Sequence, residues 1–509
     1  MRALVYTHLI RRSRESQGNR FVLRRLSANS EALRGNDSIF WCPQVVFPDT
    51  IAPGSVLVNS AGIIADCHVD HTLKDAEQLA ETTNVALINL GENSSSSCLS
   101  PGLIDVHVHI SALGRDWEGY TSATKAAAAG GITTIIGMPL NSLPPTTSPE
   151  ILAQEKSVAN EKSSLYVDVG LWGGVVPSNC TEQKLDDLLQ AGVLGLKAFL
   201  SPLPPAAGYE AVSPEQLLKA ASICGRHNKP ILVHAELMTE QDLLNTTQAA
   251  YENQNSQQSY QAHVNSRPPK WEQDAIKVVC EAASFCHMHI VHLSDANGCS
   301  EMIQTTRKDP NKRLTVETCS HYLLLDSSMI QDGDTRVKCF PPIRDAPNRE
   351  RLWEGLEEGW IDMVTSDHSP CEPSMRCRET GDLKKAWGGL SGLQYQLQAT
   401  WTGAVARQHT PLEMANWWSR NSSELAGMTQ SKGSIEPGKQ ADFCWWDPSH
   451  KGAPNEYIQE YHRWPGDTYF ADNEAMRGRV LGTWVKGAKV YDGLEDKHLM
   501  AAGSFLLCI

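Results

Sequence analysis

From about Ile39 to Ala65 apolar residues alternate with turn formers, as in "GSVLVNSAGIIADCHV". That two-residue period belongs to short strands. The same pattern returns near the other end in "RVLGTWVKGAKVYDG", where Lys486-Gly487 fits a hairpin turn. Between these flanks, short β-branched or apolar runs alternate with helix-like stretches. The runs are "GLIDVHVHI", "GITTIIGM", "LYVDVGLWGGV", "GVLGLKAFL", "KPILVHAE", "HMHIVHLSD", "RLTVETCSHYL" and "DMVTSDHSP". "PEQLLKAASICGRH" and "WEQDAIKVVCEAASF" are the clearest helical candidates. Strand–helix alternation predicts a parallel sheet covered by helices, and about eight such strands close a barrel. The expected fold class is therefore α/β, a (β/α)8 TIM-like barrel. No internal repeat is visible, and the polar stretch "ENQNSQQSYQ" reads as an exposed loop.

Composition narrows the partners. The chain has 509 residues, 41% hydrophobic and 20% charged, and no apolar run long enough to span a bilayer. Its 45 Lys and Arg stand against 59 Asp and Glu, a net charge of −14. That balance argues against nucleic acid or an anionic membrane as partner. The 14 cysteines lack paired CxxC spacing and read as reduced, mostly buried thiols. Residues 1–38 differ in kind: they are Arg-rich and poor in acids, as in "MRALVYTHLIRRSRESQGNRFVLRRLSANSEALRG". They suit either an organelle (mitochondrial) transit peptide or a plain N-terminal extension of a cytoplasmic protein, and they contain no secretory apolar core. The end "SFLLCI" is neither a peroxisomal tripeptide nor a prenylation site.

The chemistry starts in "GLIDVHVHI". Alternate residues of a strand share a face, so Asp105, His107 and His109 are expected to point one way, at a cost unless something binds there. The C-terminal ends of barrel strands build the active site. The other runs offer candidates at their ends: Lys197, His234, His292 and Asp367. Imidazoles and carboxylates suit zinc and similar divalent ions, and this many would hold more than one. Desolvation and nearby cations would depress the pKa of Lys197, whose neutral amine can take up carbon dioxide as a carbamate. Each residue alone has a plainer reading: a core histidine, a surface lysine, a helix-capping aspartate. Six such positions at strand ends make coincidence a poor explanation. His287 and His289 begin their strand and fall off the face of His292; His227 reads as a helix C-terminal cation, and His368 should turn away from Asp367.

These segments resemble the amidohydrolase superfamily, and within it the cyclic amidases, over roughly residues 40–495. The resemblance rests on "SPGLIDVHVH", "GLKAFL", "LVHAE", "IVHLS", "VETCSHYL", "FPPIR" and "SDHSP". "KGSIEPGKQADF" and "TWVKGAKVYDG" look like the chain returning to the family's small β-sandwich domain. The resemblance thus implies an extension at 1–38, the small domain at 39–98 and 433–495, the barrel at 99–432, and a tail at 496–509. Three stretches, "WEGYTSATKAAAAGGITTIIGMPLNSLPPT", "SRPPKWEQDAI" and "AWGGLSGLQ", are similar to those of members that open the five-membered hydantoin ring of allantoin.

What the resemblance implies is specific. Two divalent ions, zinc the first choice and manganese, cobalt or iron acceptable to the same donors, would be held by His107, His109, Lys197 carboxylated on Nζ, His234, His292 and Asp367. Asp367 would also move the proton, and Asp105 would stand behind the ligands. Phe340, Gly389, Leu390 and Ser391 would contact the small-molecule substrate, with Arg267 and Arg344 as substrate or ion-pair residues. The family assembles as homo-oligomers, here a tetramer. Hydantoinases and dihydropyrimidinases are the alternative, but they usually carry a Tyr soon after the lysine, absent from "KAFLSPLPP". A non-catalytic scaffold relative would lack ligands, and none is missing here. Two departures stand out: "ISALGRDWEG" replaces a "DEPG"-like turn, and Ser320 stands where Pro is common.

Overall fold

The computed structural model describes residues 37–508 except 93, 162–163 and 254–256. The Arg-rich start and the middle of "ENQNSQQSYQ" therefore lie outside the described residues. The eight expected barrel strands are all present: β1 Leu103–Val108, β2 Ile132–Gly137, β3 Asp168–Leu171, β4 Leu196–Phe199, β5 Pro230–His234, β6 His287–Ile290, β7 Arg313–Cys319 and β8 Met363–Thr365. Neighbours pair in parallel from β1 to β3 and from β4 to β8. Two seams close the ring. On one side Gly173–Gly174, just past β3, pairs with β4. On the other, Val108 bridges His368 and the amide of His109 donates to the His368 carbonyl at 2.9 Å.

Strands β1 and β2 are buried at every position, as expected of a sheet with helices outside and packed side chains inside. The covering helices follow their sequence signals. Pro214–Arg226 starts on a reciprocal cap between Ser213 and Gln216 and buries Leu217, Ala220, Ala221 and Cys224. Its spacing of apolar residues is that of a helix stripe against the barrel. His227 closes this helix, and its Nε2 lies 2.7 Å from Asp186 Oδ1.

The small domain is one nine-stranded sheet built from both chain ends. Ser38–Val46 and Arg477–Val485 are separated in it by Cys98–Pro101 and Phe443–Lys451. In a flat sheet three steps would be about 14 Å. Phe40 nevertheless meets Trp484 with ring centroids 5.7 Å apart, so the sheet curls over its own core of Phe40, Leu99, Phe443 and Trp484. This closes it as a sandwich would. Lys486 and Gly487 form the hairpin turn, both at positive φ, the conformation of a type I′ turn. A helix within this domain, Leu73–Thr83, was not apparent from the alternation.

Cys98–Pro101 pairs with the small sheet across the expected boundary at residue 98. The tail is likewise integrated. Lys497–His498 adds the sheet's last strand. Residues beyond it then run along the barrel seam: Val169 donates to Ser504 O at 2.9 Å, Leu506 to Val169 O at 2.7 Å and Cys508 to Gly192 O at 2.9 Å.

Candidate metal centre

His107 on β1, and His109 just past it, meet Asp367 beyond β8: His107 Nε2 and His109 Nε2 lie 3.2 and 3.4 Å from Asp367 Oδ1. One donor atom of each of the three lies within 4.8 Å of the others. Across the axis His234 Nδ1, at the end of β5, is 2.9 Å from His292 Nε2, past β6. The rings of His107 and His292 are 5.3 Å apart, which joins the two groups into one cluster. Lys197 of β4 is fully buried beneath them, its Nζ 4.6 Å from the Phe199 ring and without a hydrogen-bond partner.

Glu317 of β7 ties the cluster together, and the sequence pattern had not singled it out. Its Oε1 accepts from His107 Nδ1 at 2.5 Å and from the amide of His292 at 3.2 Å; Oε2 accepts from His289 Nε2 at 2.9 Å. With Nδ1 engaged by a carboxylate, His107 is oriented with Nε2 facing Asp367, the arrangement in which an outer carboxylate sets the tautomer of a metal-ligating histidine. His109 is held from behind by the Asn141 amide at 3.2 Å from Nδ1, and His234 by Glu236, 2.8 Å from Nε2. Ser369 Oγ donates to Asp367 Oδ1 at 2.9 Å.

The electrostatics favour a bound cation. Burial opposes charge on every member, yet Glu317 and Asp367 lift His107 to about 9. Asp367 and Glu317 stay well below the ordinary carboxylate range despite burial, because His107 and its neighbours face them. Burial presses Lys197 down to about 7, so an unpaired buried amine is available in neutral form, as carbamate formation requires. Four imidazoles, a carboxylate and such an amine fit a pair of divalent ions with mixed nitrogen and oxygen ligands.

Asp105 sits behind the ligands but braces backbone: Oδ1 accepts from the amides of His107 at 3.1 Å and Ser366 at 3.3 Å. It thereby fastens the end of β1 to the end of β8, and burial raises its carboxyl to about 7. His289 corrects an expectation. Strand alternation set it apart from His292, but both contact Glu317. The reason is that β6 stops at Ile290 and His292 takes φ 39°, which re-aims its side chain to the axis. Asp367 does the same past β8 with φ 45°. His368 turns away, its Nε2 3.1 Å from Glu118.

The cluster floors a cavity of about 670 Å³ whose walls include Arg267, Lys338, Phe340, Trp387 and Gly389. Two expected substrate contacts, Phe340 and Gly389, thus face it. Leu390 and Ser391 do not: Leu390 is core and its carbonyl accepts from the Ser369 amide at 3.0 Å, while Ser391 bridges Thr468. The chain turns away at Gly389, where φ is 143° and a Cβ would come within 2.4 Å of Ser369 O. Arg344 is an ion-pair residue buried against Glu272, whereas Arg267 bonds Glu236 at 2.9 Å and stacks 4.4 Å from Phe340. The "ISALGRDWEG" segment reaches the cavity wall through Trp117, edge-on to Trp387 at 5.2 Å. Ser320 bonds Gln396, away from the ligands.

Residues 98–490 match the amidohydrolase family. The chain is 38% identical over 502 residues to an allantoinase of Arabidopsis thaliana, covering 94% of each chain. It is 41% identical over 389 residues to a mitochondrial allantoinase of Aquarana catesbeiana, 75% of each chain. Among solved structures it resembles the L-hydantoinase (dihydropyrimidinase) of Arthrobacter aurescens, with a TM-score of 0.78 at 26% identity over 92% of this chain and 99% of that one.

Proposed function

The chain belongs to the amidohydrolase family and stands among its allantoinases, and on that premise we propose that it hydrolyses the ring amide of allantoin to give allantoate in purine (ureide) breakdown. The observation that carries this reading is the convergence of His107, His109, Lys197, His234, His292 and Asp367 at the strand ends of one barrel, under a cavity. In this reading these six residues, Lys197 as its carbamate, hold two divalent ions, zinc the first choice. Bound there, the ions would supply Lewis acidity toward the carbonyl and toward water.

The reaction adds one water across the ring C–N bond. Asp367 takes a proton from the attacking water on its carboxylate and returns it to the amide nitrogen as that nitrogen leaves. Its low proton affinity and the Ser369 hydrogen bond keep it ionised and aimed before the step. The wall of Phe340 and Gly389 orients the ring, and Glu317, Glu236 and Asn141 fix the imidazoles. The Arg-rich N-terminal segment ahead of the Ser38–Val46 strand acts as an organelle-targeting segment, in line with the mitochondrial Aquarana catesbeiana relative. The assembly is a tetramer, which sedimentation would test.

The test is an allantoin assay with metal content measured on the same sample, and Lys197→Ala as control. Two bound ions and ring opening are expected, with both lost in the variant; full activity in the variant would falsify the bridging role. A hydantoinase reading draws on the Arthrobacter aurescens likeness. Faster opening of hydantoin or dihydrouracil than of allantoin would favour it.

A further inference from the structure

Lys338 is a buried cation whose placement the ligand cluster does not explain. It lines the cavity yet is only 5% exposed. Its Nζ donates to the carbonyls of Ala386 at 2.6 Å and Lys384 at 3.4 Å. Among the described residues no carboxylate lies within ion-pair distance of it. The other cavity cations are placed differently. Arg267 is paired with Glu236, Lys385 is largely exposed beside Asp382, and Lys384 lies over Tyr251 at 5.9 Å. Burying an ammonium without a counter-charge is costly unless its donors are used. An ammonium has three donors, and two are given to carbonyls of the strap that forms the cavity wall.

Lys338 is also locked to the substrate wall. Its own carbonyl accepts from the Gly389 amide at 2.8 Å. Its Nζ stands 5.4 Å from the Phe340 ring, which His263 meets edge-on at 5.4 Å. His263 Nε2 in turn bonds the Cys339 carbonyl at 3.0 Å. The ammonium is thus rigidly set at the cavity wall, on the same three-residue stretch of chain as Phe340.

Resting on the allantoinase reading, we propose that Lys338 is the specificity-determining residue for the exocyclic group: its third N–H donates to the ureido carbonyl oxygen of the substrate. The class selected is a hydantoin whose 5-substituent carries a carbonyl acceptor. Hydantoins with a bare or alkyl 5-position would leave the third donor desolvated and unpartnered, and a site built to hydrogen-bond a substrate group discriminates strongly against analogues lacking it. Burial and Arg267 press Lys338 down to about 8, which leaves it largely cationic at neutrality.

The experiment compares allantoin with hydantoin and 5-isobutylhydantoin, as substrates or as competitive inhibitors, on the metal-loaded wild type, Lys338→Met and Lys338→Arg. Lys338→Met is expected to lose about 30-fold in kcat/KM for allantoin while hydantoin changes less than threefold, a hydrogen bond to a charged donor being the difference. Lys338→Arg should recover part of the preference for allantoin. An equal loss on both ligands would mean a structural role and overturn the proposal. So would wild-type binding of 5-isobutylhydantoin as tight as that of allantoin, a measurement that needs no variant. Failure of the wild type to open allantoin at all would instead remove the functional reading beneath it.

Discussion

Replacing Glu317 by Gln probes the cluster through a residue that would touch neither metal nor substrate. The side chain is fully buried and holds three groups: His107 Nδ1, the amide of His292 and His289 Nε2. In Glu317→Gln the amide oxygen can take the place of Oε1 and keep the first two. The amide NH2 then faces His289, whose other nitrogen, Nδ1, lies 2.8 Å from the Thr315 hydroxyl. A hydroxyl can donate or accept, so His289 can switch tautomer and stay satisfied. What is lost is chiefly charge: a bond to an ionised partner contributes about 1.5–3 kcal/mol against about 1 kcal/mol for a neutral one. The difference of about 1–2 kcal/mol falls on the basicity of His107. It corresponds to about 5- to 30-fold weaker metal binding, overlapping the range of about 10–100-fold seen when such outer partners are changed. The assay is chelator competition for the bound ion, read alongside a thermal melt. Metal affinity within threefold of wild type in a folded variant would refute the claim that Glu317 tunes His107. Loss of the fold would be answered by Glu317→Asp, which keeps the charge and should bind metal more tightly than the Gln variant.

Two further outcomes follow from other parts of the fold. Lys432 is buried between Asp168 of β3 and Asp442 of the small domain, at 2.8 and 2.5 Å. Lys432→Met leaves two buried carboxylates short of a cation and should cost about 3–5 kcal/mol, read by denaturant unfolding, with the metal content of the folded fraction unchanged. An effect below about 1 kcal/mol would show that Lys486, also 2.8 Å from Asp168, carries the clamp alone. Trp117→Ala removes a 2% exposed ring that packs on the cavity wall at Trp387. It should cost about 3–5 kcal/mol and raise KM for allantoin more than it lowers kcat; a change in kcat alone would place the Trp117 contact elsewhere in the reaction.

Why these residues escaped or yielded to a reading of the chain has a physical basis. The barrel was legible because both of its periods are local: β-branched runs and capped amphipathic stretches announce themselves over a few residues, and eight of them close only one way. His107 was legible because it lies within β1, where alternation holds. The same rule points to Glu317, which shares a face of β7 with Thr315 and Cys319. A lone carboxylate, though, lacks the second alternating residue that makes "HVH" conspicuous. The rule fails at His292 and Asp367 for a different reason. Both sit past the ends of their strands at positive φ, a conformation that non-glycine residues adopt at a cost of about 1 kcal/mol or more and keep only where surrounding contacts over-determine it. At His292 the Glu317 bond to its own amide supplies that constraint; at Asp367 the Ser369 hydroxyl does, bonding both its carbonyl and its carboxylate. The strand ends are therefore where period-two reasoning must stop, and in a barrel they are also where the chemistry is placed. The contacts that decide the side-chain direction there come from residues 25 positions away along the chain in one case, which no local pattern carries.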